Sequence, residues 1–266
     1  MPGQTQDFSR YPSPGRPAAR RFRALAVLGL CAVSAGAHAG NPGYDRPGIG
    51  FTPAVLAPGD VTWELGLPDA SGDRSGGVSS TQYSADSLLR IGLGGPLELQ
   101  LGGSPYNRTR SAGQLDEGHG DSSVGFKFAP AASGPLSWGL LGSVEFNDGA
   151  PAFRADHRQY LAGAQLNLQL DARNALGLYL EDVHAGRSDR STLALNEGFA
   201  LRPDLGLYAE TAWQRVPDRG DGSLAGAGLA WQATPRVQFD AGLDRRLAGA
   251  APRWLANLGV SVYFGR

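Results

Sequence analysis

Short stretches in which apolar and polar residues alternate recur through most of this chain. This pattern constrains the fold more than any other feature of the sequence. The last stretch, residues 254–264, reads Trp-Leu-Ala-Asn-Leu-Gly-Val-Ser-Val-Tyr-Phe. Because successive side chains of a strand point to opposite faces, such a stretch predicts a β-strand with one apolar and one polar face. Clusters of Gly, Pro, Asp and Ser separate the stretches and predict turns.

About twelve stretches of this kind follow one another, each near the length of a strand that crosses a bilayer. They lie near residues 61–67, 81–93, 96–104, 121–129, 135–147, 159–170, 174–184, 191–201, 204–216, 222–232, 236–246 and 254–264. The connections after even-numbered stretches are short. Those after odd-numbered stretches are mostly longer and more polar, such as residues 105–120 and 148–158. Outer-membrane barrels have this asymmetry, with short periplasmic turns and longer external loops.

The N-terminus has the pattern of a cleaved secretory signal peptide. Arg20, Arg21 and Arg23 precede an apolar run from residue 24 to residue 35, which is too short to span a bilayer. Ala-His-Ala at residues 37–39 is a cleavage site of the A-x-A type, so we expect the mature chain to begin at Gly40. The domain organisation predicted is a signal peptide at 1–39, a periplasmic N-terminal segment at 40–59 and a barrel at 60–266.

Charge excludes one class of partner. Loss of the signal peptide removes five Arg and one Asp, which changes the net charge from −1 to −5. A nucleic-acid partner would require a basic surface instead. The only cysteine lies within the signal peptide, so the mature chain has neither disulfides nor cysteine-based metal sites.

A soluble sandwich or barrel would show the same alternation, but its polar face would be outside and its apolar face in the core. Here export, the loop asymmetry and Trp residues near strand ends favour lipid outside and water within. We therefore predict an all-β fold: a transmembrane antiparallel up-and-down barrel of about twelve strands in the outer membrane. Its expected partners are outer-membrane lipid and the barrel-assembly machinery. One violation of the pattern, Glu197 on the lipid face, predicts a β-bulge there or a position near the membrane interface.

Four groups of residues resemble a known family. These are 46–53 (Arg-Pro-Gly-Ile-Gly-Phe-Thr-Pro), 57–64 (Ala-Pro-Gly-Asp-Val-Thr-Trp-Glu), the hairpin residues 88–93 with 97–102, and the strand 120–128. They are similar to the outer-membrane proteins named for the MetA pathway of phenol degradation, often labelled transporter-like. The resemblance covers residues 46–264. It implies an outer-membrane barrel with a link to aromatic-compound degradation, and its motifs specify the family rather than the solute.

Signals for catalysis, cofactors and metals are weak. The three histidines of the mature chain, His119, His157 and His184, lie in or beside predicted outer loops, and none has Ser two residues on. An outer-membrane lipid hydrolase, which would need a base held against its nucleophile, is therefore the least favoured alternative. We expect no enzymatic activity, no cofactor and no metal site.

Charged and tyrosine side chains on the predicted inner face are the candidate pore-lining residues. The two tyrosines belong to an internal repeat, in which the sequence of residues 176–181 recurs with one change at residues 205–210. Each copy begins just after a predicted short turn. The candidates are Glu64, Arg90, Glu98, Lys127, Glu145, Tyr179, Glu181, Tyr208, Glu210 and Asp240. They favour a passive channel for small solutes, aromatic or apolar compounds among them. The alternative is a closed structural or surface-interaction barrel, in which the acids and bases form a salt-bridged plug. Residues 40–59 could also fold inward and narrow the lumen.

The excess of acids among these candidates gives a selectivity prediction. Charges along a narrow passage act more strongly than charges in bulk water. An open lumen should therefore favour cations or neutral solutes over anions.

Overall fold

The computed structural model describes residues 41–75, 77–216 and 220–265, so the predicted signal peptide lies outside the described residues. Thirteen strand segments form a single antiparallel sheet that closes on itself through the pairing of β1 with β13 and of β2 with β3. Their bounds are β1 Val61–Ser75, β2 Val78–Gly94, β3 Leu97–Ser111, β4 Gln114–Gly118, β5 Ser122–Phe128, β6 Leu136–Glu145, β7 Gln159–Gln169, β8 Asn174–Ala185, β9 Ser188–Arg202, β10 Leu205–Val216, β11 Gly220–Thr234, β12 Val237–Gly249 and β13 Trp254–Phe264. In the described part of the chain no helix is long and apolar enough to cross a membrane.

Strands β4 and β5 share one position in the barrel. The first half of β3 pairs with β5, from Leu97 opposite Phe128 to Gly103 opposite Ser122. The second half of β3 pairs with β4. The wall therefore has twelve strand positions, and the predicted twelve-stranded antiparallel barrel is confirmed.

The position of the two chain termini distinguishes the two ends of the barrel. Val61, the first residue of β1, lies opposite Phe264, the last residue of β13. We call this the terminal end and the opposite one the distal end. At the terminal end most turns are short, although residues 129–135 make a longer one. At the distal end residues 146–158 form a long connection between β6 and β7, but β3–β4 and β8–β9 are joined there by only two residues, so the predicted asymmetry in loop length holds for one connection rather than for most.

The prediction of a long polar loop over residues 105–120 is wrong. These residues instead extend β3 and form β4, with the two-residue turn Ala112-Gly113 between them. Both turn residues have positive φ, 51° and 84°, which matches the right-handed twist of the flanking strands. Across this hairpin Tyr106 donates a 3.0 Å hydrogen bond to Glu117. The sheet therefore continues where the polar composition predicted a loop.

Large apolar side chains cover the outer face of the barrel. Leu166, Leu195 and Leu258 are examples, with exposed fractions of 37%, 55% and 53%. Aromatic side chains lie near the strand ends. Trp63 and Trp138 are the third residues of β1 and β6, and Trp231 stacks on the outward-facing Phe239 with centroids 6.0 Å apart. An apolar band between aromatic belts is the surface that a bilayer requires.

The predicted bulge at Glu197 is absent from the described pairings of β9. Glu197 lies opposite Leu176 of β8 and Ala209 of β10, without a register shift at this point in either ladder. Its side chain is exposed on the outer face. Because Leu176 is the third residue of β8, Glu197 lies at the level where β1 and β6 carry Trp63 and Trp138. We expect this to be the interfacial level, where a carboxylate costs less than at mid-bilayer.

Candidate functional site in the barrel lumen

The residues that precede β1 lie inside the barrel. We call residues 41–60 the luminal segment. The Tyr44 hydroxyl donates to the carbonyl of Arg236, the Ile49 amide to Glu210 and the Leu56 amide to Glu98, at 2.8, 2.7 and 3.1 Å. Since Glu210 and Glu98 belong to widely separated strands, β10 and β3, the segment crosses the lumen.

Glycine allows this segment to approach the wall closely. Gly50 has a φ of +120°, and a Cβ there would lie 2.4 Å from Oε1 of Gln165. On the wall, Gly92 donates to the carbonyl of Asp60 and accepts from the Gly59 amide, both at 2.9 Å. A Cβ on Gly92 would lie 2.0 Å from the carbonyl oxygen of Ala57. The end of the luminal segment is thus held against β2 by backbone contact.

Arg90 is the centre of a fully buried charge network. Its guanidinium binds Glu64 at 2.8 Å and both carboxylate oxygens of Glu98 at 2.8 and 3.0 Å. It also donates to the carbonyl of Gly43 at 3.0 Å. Glu64, Arg90 and Glu98 come from the adjacent strands β1, β2 and β3, respectively, and have almost no exposed surface. Pairing with bidentate geometry is what makes charge tolerable at such depth.

Asp45 connects the luminal segment to this network. Its carboxylate accepts from Lys127 Nζ at 2.9 Å and from Gln100 at 2.8 Å, and it lies 3.5 Å from Arg90. Lys127 also reaches Glu98 at 3.0 Å. Burial alone would raise the pKa of the Asp45 carboxyl, but the cations of Arg90 and Lys127 lower it below its ordinary value. Asp45 is therefore held as a carboxylate in the lumen.

A second ion-pair group holds the next residue. Arg46 binds both oxygens of Asp69 at 2.8 and 3.0 Å and one oxygen of Asp240 at 3.2 Å. Its backbone amide donates to Glu64 at 2.9 Å. Consecutive residues of the luminal segment are thus anchored on different strands, which fixes the path of the chain.

Aromatic contacts complete the anchoring. The rings of Phe51 and Tyr179 are 5.9 Å apart in an edge-to-face arrangement, and Lys127 Nζ lies 5.7 Å from the centroid of Phe51. The Tyr179 hydroxyl donates to Glu181 at 2.7 Å. The corresponding pair in the repeated segment, Tyr208 and Glu210, behaves differently, because Glu210 accepts from the amide of Ile49 instead.

All ten side chains predicted to line a pore project from the inner face of the wall. Five of them, Glu64, Arg90, Glu98, Lys127 and Asp240, join the networks around Asp45 and Arg46. Glu210 and Tyr179 contact the luminal segment. Glu145, which contacts Gln159, and Glu181 do not enter those networks. The alternation pattern gave no indication that Asp45, Arg46, Asp69, Gln100 and Asp244 belong to the site, although the charged pair Asp45-Arg46 within a Gly- and Pro-rich segment was a visible signal.

Two cavities, of about 350 and 520 Å³, lie against the luminal segment inside the barrel. Both are lined by Arg46, Gly48, Asp69 and Gln82, so they adjoin one another. The described lining residues include eight carboxylates and a single basic side chain, Arg46: the acids are Asp45, Glu64, Asp69, Asp86, Asp121, Glu145, Glu210 and Asp244. Among the described residues no group of three or more His, Cys, Asp or Glu side chains is arranged to hold a metal ion.

Solved structures of outer-membrane channels and porins share this fold. The COG4313 outer membrane channel from Pseudomonas putida F1 superposes with a TM-score of 0.60 and 16% identity, over 82% of this chain and 99% of that one. The KdgM porin in complex with disordered oligogalacturonate gives a TM-score of 0.52 and 11% identity, over 77% of this chain and 99% of that one. No curated protein sequence matches the chain.

The sequence itself carries the family assignment. A family model described as "Putative MetA-pathway of phenol degradation" matches residues 44–264, from the luminal segment to the last residue of β13. This is nearly the range over which the sequence motifs resemble that family. The chain therefore belongs to the family of putative MetA-pathway phenol-degradation proteins.

Proposed function

We propose that this protein is a passive outer-membrane channel for small solutes, with the luminal segment as its restriction. The observation that carries the proposal is a closed barrel whose lumen contains adjoining cavities beside a segment of its own chain. The segment is attached by hydrogen bonds and ion pairs rather than by strand pairing. It can therefore move without breaking the wall.

The charge of the lumen supports neutral and cationic solutes. Eight carboxylates line the cavities with one guanidinium, that of Arg46, which is paired with Asp69 and Asp240. Arg90 and Lys127, which lie outside the lining, pair with Asp45 and Glu64, so acids still outnumber bases around the cavities. A lining of one sign raises the local concentration of counter-ions and disfavours co-ions. Acidic sugars such as oligogalacturonate, the ligand of the KdgM structure, are thus poor candidates here. Small aromatic compounds fit both the family description and this charge.

The orientation that we propose places the terminal end, with both chain termini, in the periplasm. Export through the signal peptide at residues 1–39, and insertion by the barrel-assembly machinery, would deliver the chain in this way. A cysteine at Asp116 in the distal hairpin should react with an impermeant maleimide on intact cells. One at Asp171, in a terminal-end turn, should not. The reverse labelling pattern would invert the orientation.

Planar-bilayer conductance tests the restriction directly. The double variant D45A/R46A removes the ion pairs that anchor the luminal segment, so its conductance should exceed that of the wild type severalfold. Arg108→Ala, which removes an exposed ion pair of the distal hairpin, is the control and should leave conductance unchanged. Heat-modified gel mobility would show that each barrel is folded. If neither wild type nor D45A/R46A conducts or admits solutes in liposome swelling, the barrel is a closed structural one.

Ion selectivity tests the role of the inner carboxylates. Under a salt gradient the reversal potential of the conducting channel should show cation preference, and replacing Glu181 and Glu210 with Gln should weaken it. Anion selectivity of the wild type would contradict the proposal.

A further inference from the structure

Part of the inner wall between β10 and β13 consists of glycine flanked by carboxylates. Glu210 of β10 lies opposite Gly226 of β11, and Gly226 lies opposite Asp244 of β12. The two carboxyl groups therefore lie on either side of a residue that has no side chain. A Cβ on Gly226 would lie 1.9 Å from Oδ1 of Asp244, so this carboxylate leans over the glycine.

The next inward-facing row toward the terminal end repeats the arrangement. Tyr208 lies opposite Gly228, Gly228 opposite Gly242, and Gly242 opposite Asn257. The Tyr208 hydroxyl would lie 2.1 Å from a Cβ on Gly242, so the phenol ring lies along the glycines toward Asn257. Two rows of glycine thus leave space beside the inner face of the wall, and side chains that carry oxygen atoms border this space.

These side chains carry hydrogen-bonding capacity that the described part of the chain does not use. Asp244 is 4% exposed and Glu210 is 6% exposed. Yet Oδ1 of Asp244, Oε1 of Glu210, Oδ1 of Asn257 and the Tyr208 hydroxyl have no hydrogen-bond partner among the described residues. Buried polar atoms are ordinarily paired, because an unpaired one has lost its hydrogen bonds to water without replacement. Arg46, the basic side chain of the same cavity lining, binds Asp69 and Asp240 through its terminal nitrogens, and its Nε has no partner among the described residues.

Glu210, Asp244 and Asn257 line one cavity, which has a volume of about 350 Å³ and is not purely polar. Leu255 of β13 and Ile49 of the luminal segment also line it. An ammonium group offers three donors and no acceptor, which complements two carboxylates and an amide oxygen. Apolar side chains on the same cavity can cover a compact hydrocarbon body.

We propose that this cavity is a binding subsite for small organic monocations, in which Glu210, Asp244 and Asn257 receive a primary ammonium and Leu255 covers its apolar body. The proposal deepens the channel function by naming a class of solute, and it rests on that function for its physiological meaning. Binding itself can be measured without flux. If the protein binds amines but does not conduct, the binding subsite is supported and the channel proposal is contradicted.

Calorimetry on the full barrel in detergent micelles tests the subsite at constant ionic strength. Benzylamine, the cationic probe, should bind at least about tenfold tighter than benzyl alcohol, which has a hydroxymethyl group in place of its aminomethyl group, because charge-assisted hydrogen bonds to carboxylates are lost in the alcohol. The double variant E210Q/D244N should reduce benzylamine affinity about tenfold or more and leave the alcohol unaffected. Glu117→Gln, which neutralises an exposed carboxylate of the distal hairpin outside both cavity linings, is the control and should bind benzylamine like the wild type.

A second variant keeps the test decisive if E210Q/D244N does not fold. Asp244→Asn alone removes no hydrogen bond to the described residues, so it should fold and still weaken benzylamine. The competing arrangement is a proton shared between the two carboxyl groups with water at the other oxygens. Equal affinity of wild type for benzylamine and benzyl alcohol would support that arrangement and overturn the proposal. So would unchanged benzylamine affinity in Asp244→Asn.

Discussion

Individual buried charges decide how the luminal segment is held. Arg90 illustrates this, because one guanidinium satisfies two carboxylates of the wall and a carbonyl of the segment. Removing one partner from such a buried group leaves uncompensated charge and costs more than the pair contributes. An exposed pair such as Arg108–Glu117, at 3.5 Å and about half exposed, contributes little by comparison.

Arg90→Met should therefore lower the free energy of unfolding by roughly 3–5 kcal/mol, since Glu64 and Glu98 lose their shared cation. Arg108→Met should change it by less than about 1 kcal/mol. Urea unfolding in detergent micelles, followed by tryptophan fluorescence, gives both values. Equal effects of the two substitutions would mean that the buried network contributes no more than a surface pair.

Asp45 gives a pH dependence whose sign follows from its lowered pKa. A carboxyl with a folded-state pKa below its unfolded value stabilises the fold above the unfolded pKa, which is about 3.9 for Asp. That stabilisation is lost as the pH falls through the folded-state pKa. The stability difference between wild type and Asp45→Asn should thus be constant from pH 5 to 7 and shrink below about pH 4. A difference that grows toward low pH would contradict this assignment.

At the scale of elements, the luminal segment can lie against β2 only because Gly92, the residue at their contact, has no side chain. Gly92 exchanges two backbone hydrogen bonds with Gly59 and Asp60, and the carbonyl oxygens of Leu56 and Ala57 lie where a Cβ would be. Backbone atoms cannot rotate aside as a flexible side chain can. Any larger residue at this position must displace the segment.

Gly92→Ala should consequently destabilise the protein by about 1–3 kcal/mol and raise its conductance, because the segment is pushed from β2. Gly198→Ala is the matched control, since a Cβ there would meet no atom within 4 Å. It should be neutral or slightly stabilising, as alanine limits the unfolded chain. Comparison of unfolding midpoints and single-channel currents checks both. Wild-type currents from a folded Gly92→Ala barrel would show that this contact does not restrict the lumen.

At the scale of the whole molecule, the outer face must match the depth profile of a bilayer. Leu195 and Glu197 are successive outward-facing residues of β9, and Glu197 is the one nearer the terminal end. Leu195 lies opposite Leu178 and Thr211, deeper than the level of the terminal-end tryptophans. Two neighbouring positions on one strand therefore sample different depths.

Leu195→Lys should cost about 2–4 kcal/mol of stability in lipid vesicles, and Glu197→Lys about 0–1 kcal/mol, because the penalty for a lipid-facing cation falls toward the interface. Reversible denaturant titration of vesicle-inserted barrels measures both changes. Similar costs at the two positions would place Glu197 in the hydrocarbon rather than at the interface.

Much of the wall could be predicted from sequence because period-two alternation is a local signal. The stretches near 159–170 and 254–264 correspond to β7 and β13 almost residue for residue. The hairpin over residues 105–118 was not predicted, because its polar residues pair outside the apolar band, where alternation does not reveal a strand.

The contents of the lumen were harder to predict, for a physical reason. Glu64, Arg90 and Glu98 were identified as inward-facing, but their mutual contacts depend on the register of three strands. The partners in the luminal segment, Asp45 and Arg46, belong to a stretch without periodicity, so no local pattern places them. Asp244 and its glycine neighbours form a site only when β10, β11 and β12 are side by side.

The position of the luminal segment directly before β1 has a consequence for the order of assembly. Three of its charged partners, Glu64, Arg90 and Glu98, come from the first three strands, which are near in sequence and quick to meet. The pairing of β1 with β13, the seam that closes the barrel, joins Val61 to Phe264, about 200 residues apart. It carries the largest loop-closure entropy among the described strand pairings. We expect the segment to be bound early and then enclosed as the seam closes, rather than threaded into a finished barrel.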